Sequence, residues 1–249
     1  MTLQNTAPQQ DEQSGAGADS ASQEFENFIY LVSHDVRNSV RALLELPQWI
    51  EEDLIASGHP IVASIADNIE LMNTHTRRLD RMLIDLLIYS RIGRMQNGRD
   101  VDWHGAIDTV LDQMQVPPGF RIVRDIRAPI VHIGETDVLT LISALVGNAF
   151  KHHDRTTGTV TISTREAQGE VILTVQDDGP GIPERYREKV FEVMSTLKPR
   201  DEVEGSGMGL AKVRKIASHY GARIEWVDSP KTRGCGLSIH FPRQASKVH

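Results

Sequence analysis

The sequence has little cysteine and no long apolar run. Cys235 is the single cysteine among 249 residues, so no disulfide can form within the chain. No apolar stretch approaches the roughly 18 residues that suggest a membrane span, and the N-terminus lacks the basic flank and apolar core of a secretory signal. These absences argue against a disulfide-stapled secreted domain and predict a cytoplasmic protein with no membrane span in this chain.

Clustered positive charge is also absent. The chain has 27 Lys and Arg against 34 Asp and Glu, which gives a formal net charge of −7 at pH 7. A general nucleic-acid-binding surface needs clustered excess Lys and Arg, so we expect no nucleic-acid partner. With 39% hydrophobic residues, the chain can bury the core of one large domain or two modest ones.

Residues 23–96 carry the apolar pattern of a helical hairpin. Large apolar residues recur there every three or four positions, which is the spacing of an amphipathic helix. The stretch "SGHP", Ser57–Pro60, interrupts the pattern, which then restarts and ends near Gly98. Pro47 lies inside the first arm and is expected to kink it, because proline removes an interior hydrogen bond.

The apolar stripe of this hairpin needs a partner, because two helices alone cannot enclose a core. Each arm of about 30 residues would be roughly 45 Å long at 1.5 Å per residue. The pattern therefore predicts a homodimer in which two hairpins form a four-helix bundle. The alternative is that the hairpin packs against the rest of the same chain.

The ends of the chain have the composition of tails. Residues 1–22 are rich in Gln, Ser, Ala and Gly and contain few large apolar residues, which favours a disordered leader or a linker cut from something longer. Residues 244–249 are expected to be a short tail.

Residues 100–243 have a different pattern, in which short strands and helices follow one another. The predicted helices lie at 104–115, 136–153 and 209–220, and the predicted strands at 120–126, 129–133, 158–167, 169–179, 222–228 and 235–241. The segment 180–206, rich in Gly, Pro and charge, is expected to be a mobile loop that could hold one short helix. Together these elements predict an α/β two-layer sandwich.

The stretch "QDDGPGIP", Gln176–Pro183, ends a strand with an acid and two glycines. Gly179 and Gly181 are spaced so that the backbone can pass close to a ligand. An aspartate there can accept a hydrogen bond from an exocyclic amine such as adenine N6. On its own, however, this pattern is more often a plain turn.

A second glycine cluster, "GSGMGL", opens directly onto a helix. It contains Gly205, Gly207 and Gly209, and the free N–H groups and dipole of the helix start favour a phosphate. It is not a P-loop, since no Gly-Lys-Ser/Thr follows. It is not a dinucleotide fingerprint, since it follows a loop and not a strand.

Asn148 and Lys151 lie within one turn of a single predicted helix, so their side chains project from neighbouring positions. Mg²⁺ takes oxygen ligands and keeps water and phosphate oxygens as the rest of its shell, so one Asn can suffice as the protein ligand. Lys151 would then offset phosphate charge. The alternative is that a mid-helix Asn is only solvated or bonded within the core.

The order of these features is specific: an Asn-bearing helix, an Asp-Gly-Gly strand end, a long loop and a glycine-opened helix. Over residues 23–243 the chain resembles the two-component sensor histidine kinases. "SHDVRN" is similar to the family's H box, "NAFKH" to its N box, "DDGPGI" and "GSGMGL" to its two glycine boxes, and "VFEVM" to its F box. "TRGCGLSIHF" is similar to the closing strand of the family's ATP-binding domain.

The resemblance implies a Bergerat-type ATPase fold for residues 100–243, with residues 183–206 as the ATP lid. It implies that Asp177 contacts adenine and that Asn148 holds Mg²⁺. Lys151 and the glycines of the two boxes are the other expected ATP-binding residues. It also implies a homodimer whose partner is the receiver domain of a response regulator.

His34 lies on the first arm, about 200° around the helix from both Val32 and Val36, so we expect it to be exposed. An exposed histidine is usually inert, but the resemblance implies that His34 receives the γ-phosphoryl group of ATP. Asp35 is the adjacent acceptor that can fix the tautomer and act as base. Asn38, at i+4 on the same face, would orient a water in the family's phosphatase reaction.

The chain departs from the family pattern at several positions. Ser39 stands where the H box usually has proline, and the proline of the first helix is displaced to Pro47, which puts regulation in doubt more than chemistry. In the N box, Ala144 replaces an earlier Asn and His152 replaces a Tyr or Phe. Either change could weaken ATP affinity.

The sequence as a whole therefore predicts an ATP-dependent protein-histidine kinase of a two-component system. Two other classes stay open: an ATP-binding-deficient phosphotransfer or scaffold dimer, and a related ATPase that phosphorylates serine or uses ATP for conformational work. No sensor domain is recognisable in the chain, so the input is expected from a partner, from a missing upstream piece or from the dimer interface.

Overall fold

The structure, a computed structural model, describes residues 12–198, 205–227 and 233–243, with side chains from residue 30 onward except those of residues 33 and 34. The chain divides into two compact units, Met1–Ser90 and Arg91–His249. No helix in the described ranges is both long and apolar enough to cross a membrane.

The first unit is a hairpin of two long helices, α1 at Glu12–Ala56 and α2 at Ala63–Arg91. A Schellman turn ends α1: the Gly58 N–H donates to the Ile55 carbonyl and the His59 N–H to the Leu54 carbonyl, each at 3.0 Å. Gly58 has a φ of 73°, a left-handed conformation that glycine adopts at little cost. The "SGHP" stretch therefore reverses the chain as its sequence predicts.

Two details of α1 differ from the sequence prediction or extend it. The helix begins at Glu12, so the expectation of disorder does not hold for residues 12–22. Ala, Gln and Glu in this stretch are good helix formers, and an existing helix extends more easily than a new one nucleates. Pro47 lies inside α1, which continues past it. The remainder of the predicted leader, residues 1–11, and the predicted tail, 244–249, lie outside the described residues.

The hairpin buries few large apolar side chains within a single chain. Val40, Leu83 and Leu87 are the large aliphatic ones that are buried among its described residues. An ion pair joins the helices, with Arg37 Nε 3.4 Å from Asp80 Oδ1. The exposed apolar positions at helical spacing form what we call the exposed stripe: Val32, Val36, Leu43, Ile50, Met72 and Leu79.

The second unit is an α/β sandwich. Its strands are β1 Arg99–Asp102, β2 Phe120–Ile126, β3 Ile130–Ile133, β4 Gly158–Ala167, β5 Glu170–Asp177, β6 Arg223–Val227 and β7 Gly236–Pro242, and its α-helices are α3 Trp103–Met114, α4 Glu135–Lys151 and α5 Gly209–His219. Five strands form one sheet in the order β2-β4-β5-β7-β6, with β2 parallel to β4 and the other pairs antiparallel. Every strand and helix predicted for this unit is present, with ends shifted by at most two residues.

The core of the second unit lies between the sheet and its helices. α4 packs between α3 and α5, and α4 and α5 contact β5 and β6 respectively. Leu141 and Ile142 of α4 are fully buried, as are Leu173 of β5 and Ile239 of β7. Strand β7 lies between β5 and β6 and is buried along all but its last residue. Its apolar and small residues suit this buried position.

The structure adds three features that the sequence prediction lacked. Strand β1 pairs antiparallel with β3, and the predicted mobile loop holds two 3₁₀ helices, Glu184–Tyr186 and Lys189–Phe191. The boundary between the units falls after Ser90, whereas the sequence ended the hairpin at residue 96. The Gly93 N–H donates to Asp137 Oδ2 of α4 at 3.2 Å, so this segment is tied to the second unit.

Candidate functional site

Helix α4 presents Asn148 and Lys151 at the edge of its buried face. Asn148 is half-buried and Lys151 is exposed. The start of α5 lies directly against the Asn148 amide, because a methyl group at Gly209 would come within 3.1 Å of Asn148 Oδ1. The residue type at position 209 therefore decides how closely this helix start approaches Asn148.

Asp177 is the last residue of β5, and one of its carboxylate oxygens already accepts hydrogen bonds. Its Oδ1 accepts hydrogen bonds from the Gly179 N–H at 2.9 Å and the Cys235 N–H at 3.2 Å. Within the described ranges, Oδ2 accepts no hydrogen bond and is left for another donor. Burial raises the pKa of Asp177 above its ordinary value, although the two backbone donors act in the opposite direction. A fixed, partly desolvated acceptor of this kind suits an exocyclic amine.

Close backbone packing holds the turn after Asp177. Gly181 has a φ of 76°, and a methyl group there would come within 2.8 Å of the Gly234 carbonyl oxygen. Gly234, with a φ of 115°, lies against the carbonyl of Asp177. Glycine is required at both positions by conformation and by space. The start of β7 and the turn after β5 therefore form one wall of the site.

The segment before α5 exposes an uncapped helix start. Met208, the N-cap residue, makes no side-chain capping hydrogen bond, and its own N–H donates to Ser206 Oγ at 3.2 Å. Gly207 has a φ of 73° and packs against the backbone of Met194 and Ser195. Among the described residues, no atom lies within 4 Å of the position that a methyl group at Gly205 would take. Free N–H groups at such a helix start favour an anion.

Positive charge gathers at the end of α4. Although His152 retains much exposed surface, the surrounding protein partly desolvates its ring. This desolvation, together with the charges of Lys198 and Lys151, lowers the pKa of His152. His152 is therefore uncharged at neutral pH, while the two lysines are available to an anion.

The predicted residues fall into two groups. Asn148, Asp177 and the two glycine clusters lie in the second unit, and His34, Asp35 and Asn38 lie in the first. Asp35 and Asn38 are exposed on α1. The side chain of His34 lies outside the described residues, so its exposure stays a prediction.

Comparisons with known proteins connect these features. Residues 134–245 match the family described as "Histidine kinase-, DNA gyrase B-, and HSP90-like ATPase". Two relatives align over 227 residues, or 88% of this chain: the methanogenesis regulatory histidine kinase FilI of Methanothrix harundinacea is 30% identical, and cyanobacterial phytochrome A of Nostoc is 26% identical. Residues 134–245 belong to this ATPase family, and the chain is similar to two-component sensor histidine kinases over most of its length.

The fold of this chain is shared with the structure of full-length ShkA in complex with AMPPNP. That structure aligns with a TM-score of 0.65 over 87% of this chain and 45% of ShkA, at 20% sequence identity. The chain corresponds to 25% of the length of FilI and 28% of that of phytochrome A. It therefore spans little more than a quarter of these relatives, and its second unit has the ATPase fold of the family.

Four polar residues in or beside the family motifs were missed by sequence reasoning. His153 directly follows the N box, and its Nε2 lies 3.2 Å from Asp178 Oδ1. On the other side of the turn, Arg233 donates two hydrogen bonds to the Asp154 carboxylate at 2.6 and 2.9 Å. The only signal in the sequence was that polar "HHD" closes an otherwise apolar helix. Ala144, where the family has Asn, is buried in α4.

Proposed function

We propose that this protein is an ATP-dependent histidine kinase that acts as a homodimer, phosphorylates His34 and passes the phosphoryl group to an aspartate in the receiver domain of a response regulator. The observation that carries the proposal is the close approach of the α5 start to Asn148, since a methyl group at Gly209 would come within 3.1 Å of the amide oxygen. The phosphates of ATP would bind at this helix start, beside the amide. The input signal would come from a sensor outside these residues.

The residues of the second unit fit ATP and Mg²⁺ chemically. Asp177 offers Oδ2 to the exocyclic amine of adenine, while its Oδ1 stays fixed by backbone donors. Asn148 offers an amide oxygen to Mg²⁺, a cation that prefers oxygen ligands. Lys151 and the N–H groups that follow Gly205, Gly207 and Gly209 would offset the charge of the phosphates.

Bound Mg²⁺·ATP supplies an activated γ-phosphoryl group with a good leaving group. The first unit supplies the nucleophile: a ring nitrogen of His34 that carries a lone pair forms the N–P bond while the bond between the γ-phosphorus and the bridging oxygen breaks, which releases ADP. The carboxylate of Asp35 holds the proton on the other ring nitrogen and so fixes the reactive tautomer.

The proposal includes a reverse activity toward the phosphorylated partner. Asn38 follows His34 by one helical turn, and its exposed amide would orient a water molecule toward a phosphoaspartate. Such a role needs no ATP hydrolysis, so substitution of Asn38 would lower phosphatase activity and leave autophosphorylation intact.

The dimer is supported by the exposed stripe of the hairpin. Leu43 is 46% exposed and Ile50 is 43% exposed in the single chain. A contiguous exposed apolar surface on a helical hairpin marks a protein contact, and a second hairpin would cover it as a four-helix bundle. The predicted domain limits, 23–96 for this hairpin and 100–243 for the ATP-binding domain, are part of the proposal.

Phosphate chemistry tests the proposal directly. Purified protein incubated with Mg²⁺ and γ-labelled ATP is expected to acquire label that is lost in acid, because a phosphoramidate is acid-labile. His34→Gln removes the acceptor and Asn148→Ala removes the proposed Mg²⁺ ligand, so both variants should stay unlabelled. His75→Gln, an exposed histidine on α2, is the matched control and should label normally.

The outcomes separate the competing classes. Label in His34→Gln would contradict the assignment of the acceptor, and acid-stable label would indicate serine phosphorylation. Absence of label together with absence of ATP binding would indicate a phosphotransfer dimer with a degenerate ATP domain.

A further inference from the structure

We propose that His153 is a positioning residue that sets the preference of the nucleotide site for adenine. It holds the turn after β5 through Asp178, and thereby fixes the direction in which Asp177 presents its second carboxylate oxygen. The inference rests on the proposed function, in which Asp177 receives the exocyclic amine of adenine.

The carboxylate of Asp178 places a proton on one ring nitrogen of His153. An ionised carboxylate can only accept, so His153 Nε2 donates to Asp178 Oδ1 at 3.2 Å. On the other side of the ring, Nδ1 lies 3.1 Å from the Arg155 backbone nitrogen and 3.2 Å from the Arg155 carbonyl oxygen. The same carboxylate oxygen accepts the Thr159 N–H at 2.7 Å. Asp178, in the turn that follows Asp177, is therefore joined both to His153, two residues after α4, and to the start of β4.

The ring of His153 also fills the space behind this turn. Only 1% of its side-chain surface is exposed, and its plane meets that of Phe120 at 86° with the centroids 5.1 Å apart. A methyl group at Gly179 would come within 3.2 Å of His153 Cδ2, and one at Gly158 within 2.7 Å of His153 Nε2. The turn consequently rests on the imidazole with no room for movement toward it.

These contacts anchor a carboxylate that would otherwise be mobile. The side chain of Asp178 is 56% exposed. Burial by itself would raise the pKa of Asp178, but the Thr159 N–H and His153 outweigh it and lower the pKa, so the anionic form is held in place. Because Gly179 is both the neighbour of Asp178 and a donor to Asp177 Oδ1, a shift of Asp178 would be passed on to Asp177.

The Asp154–Arg233 pair is a weaker anchor of the same kind. It connects the loop after α4 to the residue before Gly234, but both side chains are about 40% exposed, at 39% and 40%. Solvent screens such a pair, so its loss should matter less than the loss of the buried His153 contact.

Binding of ADP and IDP to the full chain tests the inference without turnover. These nucleotides share ribose and phosphates, but ADP carries an exocyclic amine where IDP carries a carbonyl oxygen. In His153→Leu, which keeps an apolar volume and removes the N–H, we expect the Kd for ADP to rise about tenfold and that for IDP to stay within about twofold. His153→Gln, which retains an N–H donor, should restore most of the preference. Isothermal titration calorimetry with Mg²⁺ measures both constants.

A double substitution shows whether His153 acts through Asp178. When His153→Leu is combined with Asp178→Asn, the loss of preference for ADP over IDP should be no larger than in either single variant. The reason is that both substitutions break the same series of contacts, from His153 through Asp178 to Asp177. Equal weakening of ADP and IDP would make His153 a merely structural residue and overturn the inference, as would an unchanged preference. If the unsubstituted protein itself fails to prefer ADP, the proposed adenine contact of Asp177 is wrong, which separates that failure from one confined to His153.

Discussion

The two units of this chain differ in how completely they bury their large apolar side chains. In the second unit, the faces of α4, β5 and β7 bury Leu141, Ile142, Leu173 and Ile239 almost completely within one chain. In the hairpin, Leu43 and Ile50 keep nearly half of their surface exposed. The second unit therefore carries its own core, whereas the hairpin leaves an apolar face for a partner.

Under the proposed function, the second unit would be a self-contained ATP-binding unit, and the hairpin would be an acceptor unit whose stability depends on protein concentration. Stability that depends on a second chain follows mass action and rises with protein concentration. The stability of a core that is buried within one chain does not depend on protein concentration. Kinase activity would then need both units, although only one of them is complete in a single chain.

The largest expected effect is on the stability of the second unit, whose core is buried within one chain. Ile142→Ala should lower the free energy of unfolding of the second unit by about 2–5 kcal/mol, because it removes a fully buried side chain and leaves a cavity. Urea denaturation at two protein concentrations should give the same loss. A loss that varied with concentration would mean that the core of this unit is shared between chains.

The next effect concerns the exposed stripe. Leu43→Lys should raise the dimer dissociation constant about tenfold to a hundredfold, since it places a charge where an apolar side chain would be buried. Glu45→Lys, on the other side of the helix, introduces the same side chain outside the stripe with an even larger change of net charge, and serves as control. Analytical ultracentrifugation measures both, and equal weakening would contradict the proposed dimer face.

Substitution of Asp177 separates binding from stability. Asp177→Asn should raise the Kd for ADP about tenfold or more, because an amide N–H₂ would replace the free carboxylate oxygen. Since burial raises the pKa of Asp177 in the folded state, its contribution to stability is present below the unfolded pKa and is lost as pH rises through the folded pKa. Stability of the variant should therefore equal or exceed that of the parent at neutral pH, as chemical denaturation at pH 4 and pH 7 would show. A clear destabilisation at pH 7 would contradict this account.

The smallest expected effect is on the stability of the contact between Gly93, which follows the hairpin, and α4. Tyr220 donates to Asp137 Oδ2 at 2.7 Å and accepts the Gly134 N–H at 3.0 Å. Tyr220→Phe should cost about 1 kcal/mol and speed hydrogen exchange at Gly93, which shares the Asp137 carboxylate. Unchanged exchange at Gly93 would contradict the tie between this segment and the second unit.

The same tyrosine gives a signature in alkaline solution. Burial and the hydrogen bond to Asp137 raise the pKa of Tyr220 to about 12. Because the folded pKa is raised, the stability it contributes is complete below the unfolded pKa of about 10 and is lost as pH rises through the folded value. The difference between the parent and Tyr220→Phe should therefore shrink above pH 10.

Local patterns predicted most elements of the fold. The alternation in "GTVTISTREA" gives β4 to the residue, because one face of that strand is buried and the period of a strand is two. Strand β1 was missed, because four residues are too few to show alternation and its pairing with β3 is not local. The early start of α1 was missed because composition suggested a disordered leader, whereas helix propagation from the apolar segment decides the outcome.

The sequence predicted those parts of the site that belong to a local motif, and missed contacts between residues far apart in the chain. The glycine clusters and Asn148 were found because each has a local reason, such as an uncapped helix start. The contact between His153 and Asp178 joins residues 25 positions apart, and that between Asp154 and Arg233 joins residues 79 positions apart. Such pairs depend on strand order, which a single sequence does not display.

The central claim is that ATP phosphorylates His34, and mass spectrometry at neutral pH tests it most directly. After incubation with Mg²⁺ and ATP, the peptide that contains His34 should gain one phosphate on the imidazole, and mild acid should remove it. Asn148→Ala should abolish the modification. An acid-stable phosphate on the neighbouring Ser33 or Ser39, or a phosphorylated histidine elsewhere in the chain, would contradict the account.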